Sequence, residues 1–492
     1  MALVLGLTLG TLVAVATRAE LGRGLSSADW AAVRFTVAQA LMSAALSVVL
    51  AVPAARALAR RQFRGRRALI TLLGAPFLLP VIVAVLGLLA VFGRGGALNG
   101  LLAAAGLPQI SIYGFWGVVL AHVFFNLPLA VRLILQGWQA IPSERFRLAA
   151  SLNGSVFRLL EVPMLARVLP GAALVVFLIC LTSFAVALTL GGGPRATTVE
   201  LAIYQAIQFD FDLGRAAMLA CIQFALGLSA AFVAWRVTPL QGMGRGLDRV
   251  VQRWDAGSLS LDVAALTLVA AFLMLPLLMV VLRGVPGLFE MPGAVWAAAG
   301  RSISVAVASA ALCVALALAL AMRGGLAASV IGVLPLAASG LVMGTGLFLM
   351  VYPFVSPRSV ALPVTVVVNA ALALPFAVRA IGPAVADARR DYGRLADSLG
   401  LRGLDLLRLV VIPRARAPLG FAAGLAAALS MGDLGVITLF AGNAQETLPL
   451  AMYRLMGSYQ MEAAAGAGLV LLMLSLVVFW ICDQGGRRNA DA

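Results

Sequence analysis

RLAASLNG at residues 147–154 and RLADSLGL at residues 394–401 are two nearly identical polar segments in a very apolar chain. The copies begin at Arg147 and Arg394, which is an offset of 247 residues. LPLAVR at 127–132 and LPFAVR at 374–379 have the same offset. Because repetition at a fixed offset indicates internal duplication, the sequence predicts two halves of one design.

The repeat continues beyond these segments with a small change of offset. Arg158 pairs with Arg408 at an offset of 250, so the first copy has lost three residues within the loop. Three residues are most of one helical turn, and their loss keeps a helix nearly in phase. TVELAIY at 198–204 then corresponds to TLPLAMY at 447–453. The duplication therefore covers loops at both ends of the apolar runs.

The composition is that of an integral membrane protein. Hydrophobic residues make up 62% of the 492 residues, charged residues 11%, and the mean hydropathy is +1.03. Runs of roughly 20 apolar residues, long enough to cross ~30 Å of hydrocarbon, recur throughout. Barrel strands are about 10 residues long and alternate in polarity, which these runs do not. About twelve spans are predicted, near 1–16, 30–55, 68–92, 112–135, 168–190, 215–235, 259–282, 297–322, 326–351, 359–378, 417–440 and 461–482.

Six spans in each half give the two repeats the same orientation in the membrane. The fold class is therefore all-α, with two parallel six-helix repeats related by an axis along the membrane normal. Residues 1–240 form the predicted first repeat, 241–258 a polar cytoplasmic linker and 259–492 the second repeat. Residues 1–16 lack the positive region of a signal peptide, which favours a first span.

Arginine distribution sets the predicted topology. The formal net charge is +16, and every basic residue is arginine because the chain contains no lysine. The arginines concentrate in the loops of one side, which indicates that this side and both termini are cytoplasmic. Such a pattern sets topology and meets anionic head groups, and it favours neither nucleic acid nor a nucleic-acid enzyme. One loop holds Arg56, Arg60, Arg61, Arg64, Arg66 and Arg67.

The duplicated segment lies in the longest loop of the arginine-rich side in each half. Glu144 precedes Arg147 by three residues and Asp391 precedes Arg394 likewise, which on a helix places opposite charges side by side. A leucine pair at i and i+4 follows in each copy. We predict a short amphipathic helix, a stop at Asn153-Gly154 or Gly400, and a second short helix that ends at a proline. A helix resting on the membrane surface is the alternative, but duplication favours two docking surfaces for one symmetric partner.

At these residues the chain resembles the permease subunits of ABC importers, of the type I class. Their loop has the pattern Glu-Ala-Ala, three residues, Gly, nine residues, Ile-x-Leu-Pro, and it forms the coupling helix that enters a cleft of the ATPase subunit. Both copies here have arginine at the glutamate position, and the first has asparagine at the glycine position. The implied coupling residues are Glu144, Arg147, Ala149, Ala150, Asn153, Gly154, Pro163, Asp391, Arg394, Ala396, Asp397, Gly400 and Pro413.

A closer resemblance, to the fused permeases of bacterial thiamine importers, lies at 120–128, 188–219 and 429–442. It implies a transport subunit of the inner membrane that moves thiamine, and its phosphates, by alternating access. A periplasmic binding protein would deliver the substrate, and a separate ATPase dimer would hold ATP and magnesium. A fused permease for ferric iron or another small solute is the alternative, and an ion-coupled secondary transporter is a weaker one.

The residues themselves support a transport subunit without enzymatic motifs. A P-loop needs a lysine, and this chain has none, so ATP would be hydrolysed by a partner. The single histidine and four scattered cysteines predict no metal site and no cofactor.

Few polar residues are available to line a pathway. Asp433 lies within the eleventh predicted span, where a carboxylate must face protein or water. It is either a substrate-pathway residue or a structural carboxylate, and we favour the structural interpretation. His122 and Asn126, one turn apart, are candidate pathway residues that fit an interhelical polar pair better. Arg195, Glu200, Asp210 and Asp212 are expected on the outer face, where a binding protein would dock.

Overall fold

The computed structural model describes residues 1–20, 22, 24–74, 79–152, 155–191, 193, 196–237, 259–442 and 445–488. The predicted linker 241–258 and the site residues Asn153, Gly154 and Arg195 lie outside this part of the chain. Within it the backbone forms helices joined by short turns. This is the architecture expected from the long apolar runs, because backbone groups inside a bilayer must be satisfied within their own segment.

The first half contains the helices α1 to α11. They are α1 Ala2–Arg18, α2 Ser27–Arg60, α3 Arg66–Leu72, α4 Val81–Phe92, α5 Ala97–Ala104, α6 Phe115–Gln139, α7 Ser143–Ser151, α8 Phe157–Leu181, α9 Ala185–Leu190, α10 Val199–Gln208 and α11 Leu213–Val237.

The second half contains the helices α12 to α21 in a matching order. They are α12 Leu259–Gly287, α13 Gly293–Arg323, α14 Gly325–Val333, α15 Gly340–Val351, α16 Ala361–Ser398, α17 Leu404–Arg414, α18 Arg416–Met431, α19 Gly435–Phe440, α20 Leu448–Gly457 and α21 Met461–Arg488. Thus α16 corresponds to α6 with α7, and α17 with α18 corresponds to α8.

Nine helical segments of the described chain are long and apolar enough to cross a membrane, with α4 and α5 counted together as one, and ten if the bent pair α17–α18 is one span. The shorter apolar helices α1 and α15 correspond to the remaining two predicted spans. Four expected spans are broken rather than continuous. Residues 168–190 divide into α8 and α9, and 417–440 divide into α18 and α19. Residues 68–92 divide into α3 and α4, with Pro80 as the N-cap of α4, and 326–351 divide into α14 and α15, with Ser339 as the N-cap of α15. Pro80 and Ser339 have non-helical ψ angles of 131° and 159°, and the Ser339 hydroxyl accepts a hydrogen bond from the Val342 amide at 3.1 Å, so each residue precedes a new helix start.

The first helix of each half packs against the other half. A Cβ on Gly346 of α15 would lie 2.5 Å from the Thr11 carbonyl oxygen of α1. A Cβ on Gly87 of α4 would lie 2.6 Å from the Pro276 carbonyl oxygen of α12. Because glycine permits such backbone approach, α1 and α12 hold the halves together by equivalent contacts.

Side-chain hydrogen bonds also repeat between the halves. The Thr36 hydroxyl on α2 accepts a hydrogen bond from the Val199 amide at the start of α10, at 2.9 Å. The Ser302 hydroxyl on α13 accepts one from the Leu448 amide at the start of α20, at 2.8 Å. These contacts satisfy one otherwise open amide at each helix start, so they fix α10 and α20 in matching positions.

The arginine-rich loop contributes to tertiary structure as well as to topology. Arg60 and Arg61 both bind the buried Asp262 of α12, at 2.5 and 2.6 Å, and so connect the halves. Arg56 binds the fully buried Glu161 of α8 at 2.8 Å. From the sequence we expected this loop mainly to contact lipid head groups. Its acidic partners lie more than 100 residues away along the chain, so the sequence near the loop did not predict them.

Candidate functional site

The first duplicated loop contains the short helix α7, which presents a polar and leucine-bearing face. The Arg147 guanidinium lies 3.5 Å from the Glu144 carboxylate, one turn earlier, and both side chains are largely exposed. Ala149 is buried and anchors the helix against the body of the protein. The predicted charge pair is therefore present in this copy, where water screens it and its stabilisation is small.

The second duplicated loop is the end of α16, which continues unbroken from its membrane span. Here the exposed ion pair joins Arg390 to Asp387 at 2.6 Å. Ala396 is buried, as Ala149 is, while Asp391, Arg394 and Asp397 are exposed. The first copy has a separate helix because its chain breaks at 140–142, ahead of α7.

Gly400 ends α16 in the way the sequence predicts. Its φ angle is +69°, and its amide donates to the Asp397 carbonyl at 3.1 Å. The Leu401 amide donates to the Ala396 carbonyl at 2.9 Å. This pair of hydrogen bonds is a Schellman motif, in which a glycine takes the left-handed conformation.

The second short helix predicted after each stop forms in one copy of the loop and not in the other. In the second copy α17 ends at Arg414, one residue after Pro413, and α18 leaves at an angle of 84°. In the first copy the prediction that a helix ends at Pro163 is wrong, since α8 runs through it to Leu181. A π-helical turn precedes the proline in both copies, at Phe157–Glu161 and Leu407–Val411, so it does not account for the difference. Pro418 in the first turn of α18 favours a new helix start there, which the first copy lacks.

Both loops expose leucines at the same repeat positions. Leu148 and Leu152 are 59% and 69% exposed, and Leu395 and Leu399 are 56% and 65% exposed. We call these four residues the leucine stripe. Exposed apolar side chains rimmed by charges mark surfaces that bind another protein or a membrane. Since the stripe occurs once in each half, it suits a partner with two equivalent sites.

His122 and Asn126 lie together inside the first half, in a junction of α2, α6 and α8. Both are buried. The His122 imidazole lies 3.5 Å from the Ser43 hydroxyl, and the Asn126 amide donates to the His122 carbonyl at 2.8 Å. The same amide lies 3.4 Å from the Cys180 sulfur. The contacts shown for these two polar groups therefore join helices of one half.

A related polar cluster in the second half was not recognised from the sequence. Asn369 donates to the Ser430 hydroxyl, which donates to Ser309, each at 3.1 Å. The repeat places this cluster at the positions that Ser43, His122 and Cys180 hold in the first half; its residues are Ser309, Asn369 and Ser430. The correspondence between the halves could therefore have predicted the cluster. Asp433 lies beside this cluster, in the break between α18 and α19.

The two carboxylate oxygens of Asp433 differ in their hydrogen bonding. Its Oδ1 is 3.5 Å from the Val436 amide, while its Oδ2 is buried without a hydrogen-bond partner. Ser183 occupies the matching position in the break between α8 and α9, so the carboxylate is present in one half only. A buried carboxylate oxygen without a partner is costly in a bilayer and is therefore a candidate functional group.

The expected outer-face residues do not share one environment. Asp210 is exposed and binds Arg215 at 3.0 Å, and Asp212 accepts from the Arg215 amide at 2.9 Å. Glu200 is only 1% exposed, so its expected place on the docking face is wrong. The first turn of α10 directs it inward, where Val199 and Leu201 on either side of it are buried too. Within the described ranges, histidine, cysteine and acidic side chains form no group of three that could hold a metal ion.

The chain has similar relatives across its length, although no family model matches it. The thiamine transport system permease protein ThiP of Salmonella typhimurium is 38% identical over 481 residues, covering 94% of this chain and 90% of that protein. ThiP of Brucella abortus is 38% identical over 508 residues, covering 98% and 93%. The molybdenum transport system permease protein ModB of Azotobacter vinelandii is 30% identical over 189 residues, covering 37% of this chain and 83% of its own length. Identity at this level along nearly the whole length, together with the duplicated multi-pass helical fold, shows that the chain belongs to the ThiP family of thiamine transport system permeases.

Proposed function

We propose that this protein is the membrane-spanning subunit of an ATP-driven thiamine importer in the inner membrane. Its arginine-rich end and both termini face the cytoplasm, and thiamine passes between the halves by alternating access. The leucine stripe carries the proposal, because it presents the same exposed surface twice on the arginine-rich side. The family relatives named for thiamine transport support the substrate, and ferric iron is not favoured.

The cytoplasmic partner is a dimer of ATPase subunits, one docking on each duplicated loop. Leu148 and Leu152 enter one subunit, and Leu395 and Leu399 the other. Exposed arginines beside the stripe, such as Arg147 and Arg394, provide a charged rim. ATP and Mg²⁺ bind to the partner, consistent with a chain that contains no lysine for a P-loop.

The opposite end of the molecule receives a periplasmic binding protein loaded with thiamine. Asp210 and Asp212 lie at this end, in the turn between α10 and α11. The duplicated units are residues 1–240 and 259–492, with 241–258 as the cytoplasmic linker. The exposed turns that follow α10 and α20, at 209–211 and 458–460, give the binding protein a nearly two-fold surface.

ATP hydrolysis by the reconstituted complex tests this proposal. Thiamine-loaded binding protein should stimulate hydrolysis, while a ferric-iron binding protein should not. Leu395→Gln with Leu399→Gln should abolish stimulation and weaken co-purification of the ATPase, because two apolar anchors are lost. Leu259→Gln with Leu261→Gln, two exposed leucines at the cytoplasmic start of α12, is the matched control and should retain both. Equal loss in both variants would contradict docking at the leucine stripe.

A further inference from the structure

We infer that Glu200, Phe184, Tyr204 and Asp433 form a transient binding site for the positively charged ring of the substrate, between the two halves. The inference rests on the proposed function, because it assigns the residues that recognise the thiazolium cation. We call these four residues the inter-half site.

Glu200 differs from the other fully buried acids in the part of the chain that is described. Each of three other buried acids binds at least one arginine. Asp29 binds Arg215, Glu161 binds Arg56, and Asp262 binds Arg60 and Arg61. Glu200 has no arginine partner there, and only neutral side chains, those of Ser339 and Gln223, face its carboxylate. Removing an acid from water without a compensating charge is costly, so a cation that enters beside it gains a strong interaction.

The side chains that face Glu200 do not neutralise it. They are Ser339, at the start of α15, and Gln223 of α11. The Gln223 amide instead donates to the Leu181 carbonyl at 2.9 Å, next to the break between α8 and α9. Glu200 therefore lies where α10 of the first half meets α15 of the second.

Asp433 lies near the same end of α15, in the break between α18 and α19 of the second half. A Cβ built on Gly435 would lie 3.3 Å from Leu341 of α15, 3.7 Å from the Phe184 ring and 3.8 Å from Asp433 Oδ1. Phe184 belongs to the first half, so an aromatic ring and a carboxylate from different halves meet beside one glycine. Broken helices at a repeat interface are the places where transporters expose polar groups to substrate.

Aromatic rings complete the group. Phe184 and Tyr204 meet edge to face, with ring centroids 5.4 Å apart, and Tyr204 lies one turn beyond Glu200 on α10. Arg454 interacts electrostatically with Tyr204, but it is bound by Glu446 at 2.8 Å. Aromatic faces and carboxylates together attract organic cations through cation–π and charge interactions. A molecule with one cationic and one neutral aromatic ring fits this combination.

Close packing shows that the halves must separate for a substrate to reach the site. A Cβ on Gly432, next to Asp433, would lie only 3.1 Å from the Pro80 Cα of the first half. The inter-half site is therefore occupied when alternating access moves α18 and α19 away from α4, and it is closed in this structure.

Uptake into proteoliposomes containing the chain, its ATPase and thiamine-binding protein tests the site. The two probes are thiamine and an uncharged analogue in which carbon replaces the quaternary nitrogen of the thiazolium ring. Asp433→Asn and Glu200→Gln should each lower thiamine uptake about tenfold and analogue uptake less than about twofold. The binding protein is unchanged throughout, so its own preference cancels when each variant is compared with wild type.

Charge-retaining variants and an aromatic variant guard against a simple folding defect. Asp433→Glu and Glu200→Asp should keep most of the preference for the cation, and Phe184→Leu should lose it. Glu290→Gln, an exposed acid in a turn, should behave as wild type. If wild type imports no thiamine, the proposed function fails and the site with it. If wild type imports thiamine but the variants affect both probes equally or neither, the site alone is wrong.

Discussion

At the scale of single residues, the account depends on which charges are buried and what they bind. Asp262 is buried with two arginines of the other half, whereas Asp387 and Arg390 form an exposed pair. The two kinds of ion pair differ strongly in what their loss costs, because an uncompensated buried charge cannot be hydrated. The buried pair at Asp262 therefore holds the two halves together.

Asp262→Asn should therefore destabilise the protein substantially. Arg60 and Arg61 would keep their charges with their shared acid removed, and the expected loss is about 3–5 kcal/mol. Asp387→Asn, which breaks an exposed pair, should cost less than about 1 kcal/mol. Thermal unfolding of both variants in detergent measures the difference. Similar unfolding temperatures for the two would show that the buried pair does not stabilise the fold.

At the scale of helices, local sequence pattern predicted where the segments lie but not where they break or how they pack. The duplicated loop, the stop at Gly400 and the approximate positions of the spans all follow from local pattern, which is why they agree with the structure. The breaks within residues 68–92, 168–190, 326–351 and 417–440 do not follow from it, because an apolar run has the same hydropathy whether it is one helix or two. The inward direction of Glu200 and the partner of Asp262 depend on packing between distant segments, which no local pattern contains.

Gly400→Val should uncouple the cytoplasmic loop while leaving the membrane helices folded. A side chain at φ +69° costs roughly 1–2 kcal/mol, so the Schellman turn would open and displace Leu399. Gly393→Val is the matched control, because this glycine lies within α16 and a side chain there meets open space. ATP hydrolysis stimulated by loaded binding protein should disappear in the first variant and persist in the second. Persistence in both would remove the coupling role of the Gly400 turn.

At the scale of the whole molecule, the two halves are one interlocked unit. The helix α1 packs on α15, α12 packs on α4, and Arg60 and Arg61 reach Asp262 across the same boundary. Each half therefore leaves apolar and charged surfaces uncovered when the other is absent.

Residues 1–240 and 259–492, expressed as separate chains in one cell, should assemble and co-purify. Each half expressed alone should accumulate poorly, since the surface that receives the other half's first helix is exposed. Gly346→Leu should prevent assembly because its side chain would meet the Thr11 backbone, while Gly382→Leu, which faces open space, should not. Stable accumulation of a single half without its partner would contradict the interlocked arrangement.

The most direct measurement of the central claim is uptake of labelled thiamine into proteoliposomes that contain this chain, its ATPase and the binding protein. The account predicts accumulation that needs ATP on the ATPase side and is competed by unlabelled thiamine. Uptake driven by an ion gradient without the ATPase, or no thiamine uptake while another loaded binding protein stimulates ATP hydrolysis, would contradict it.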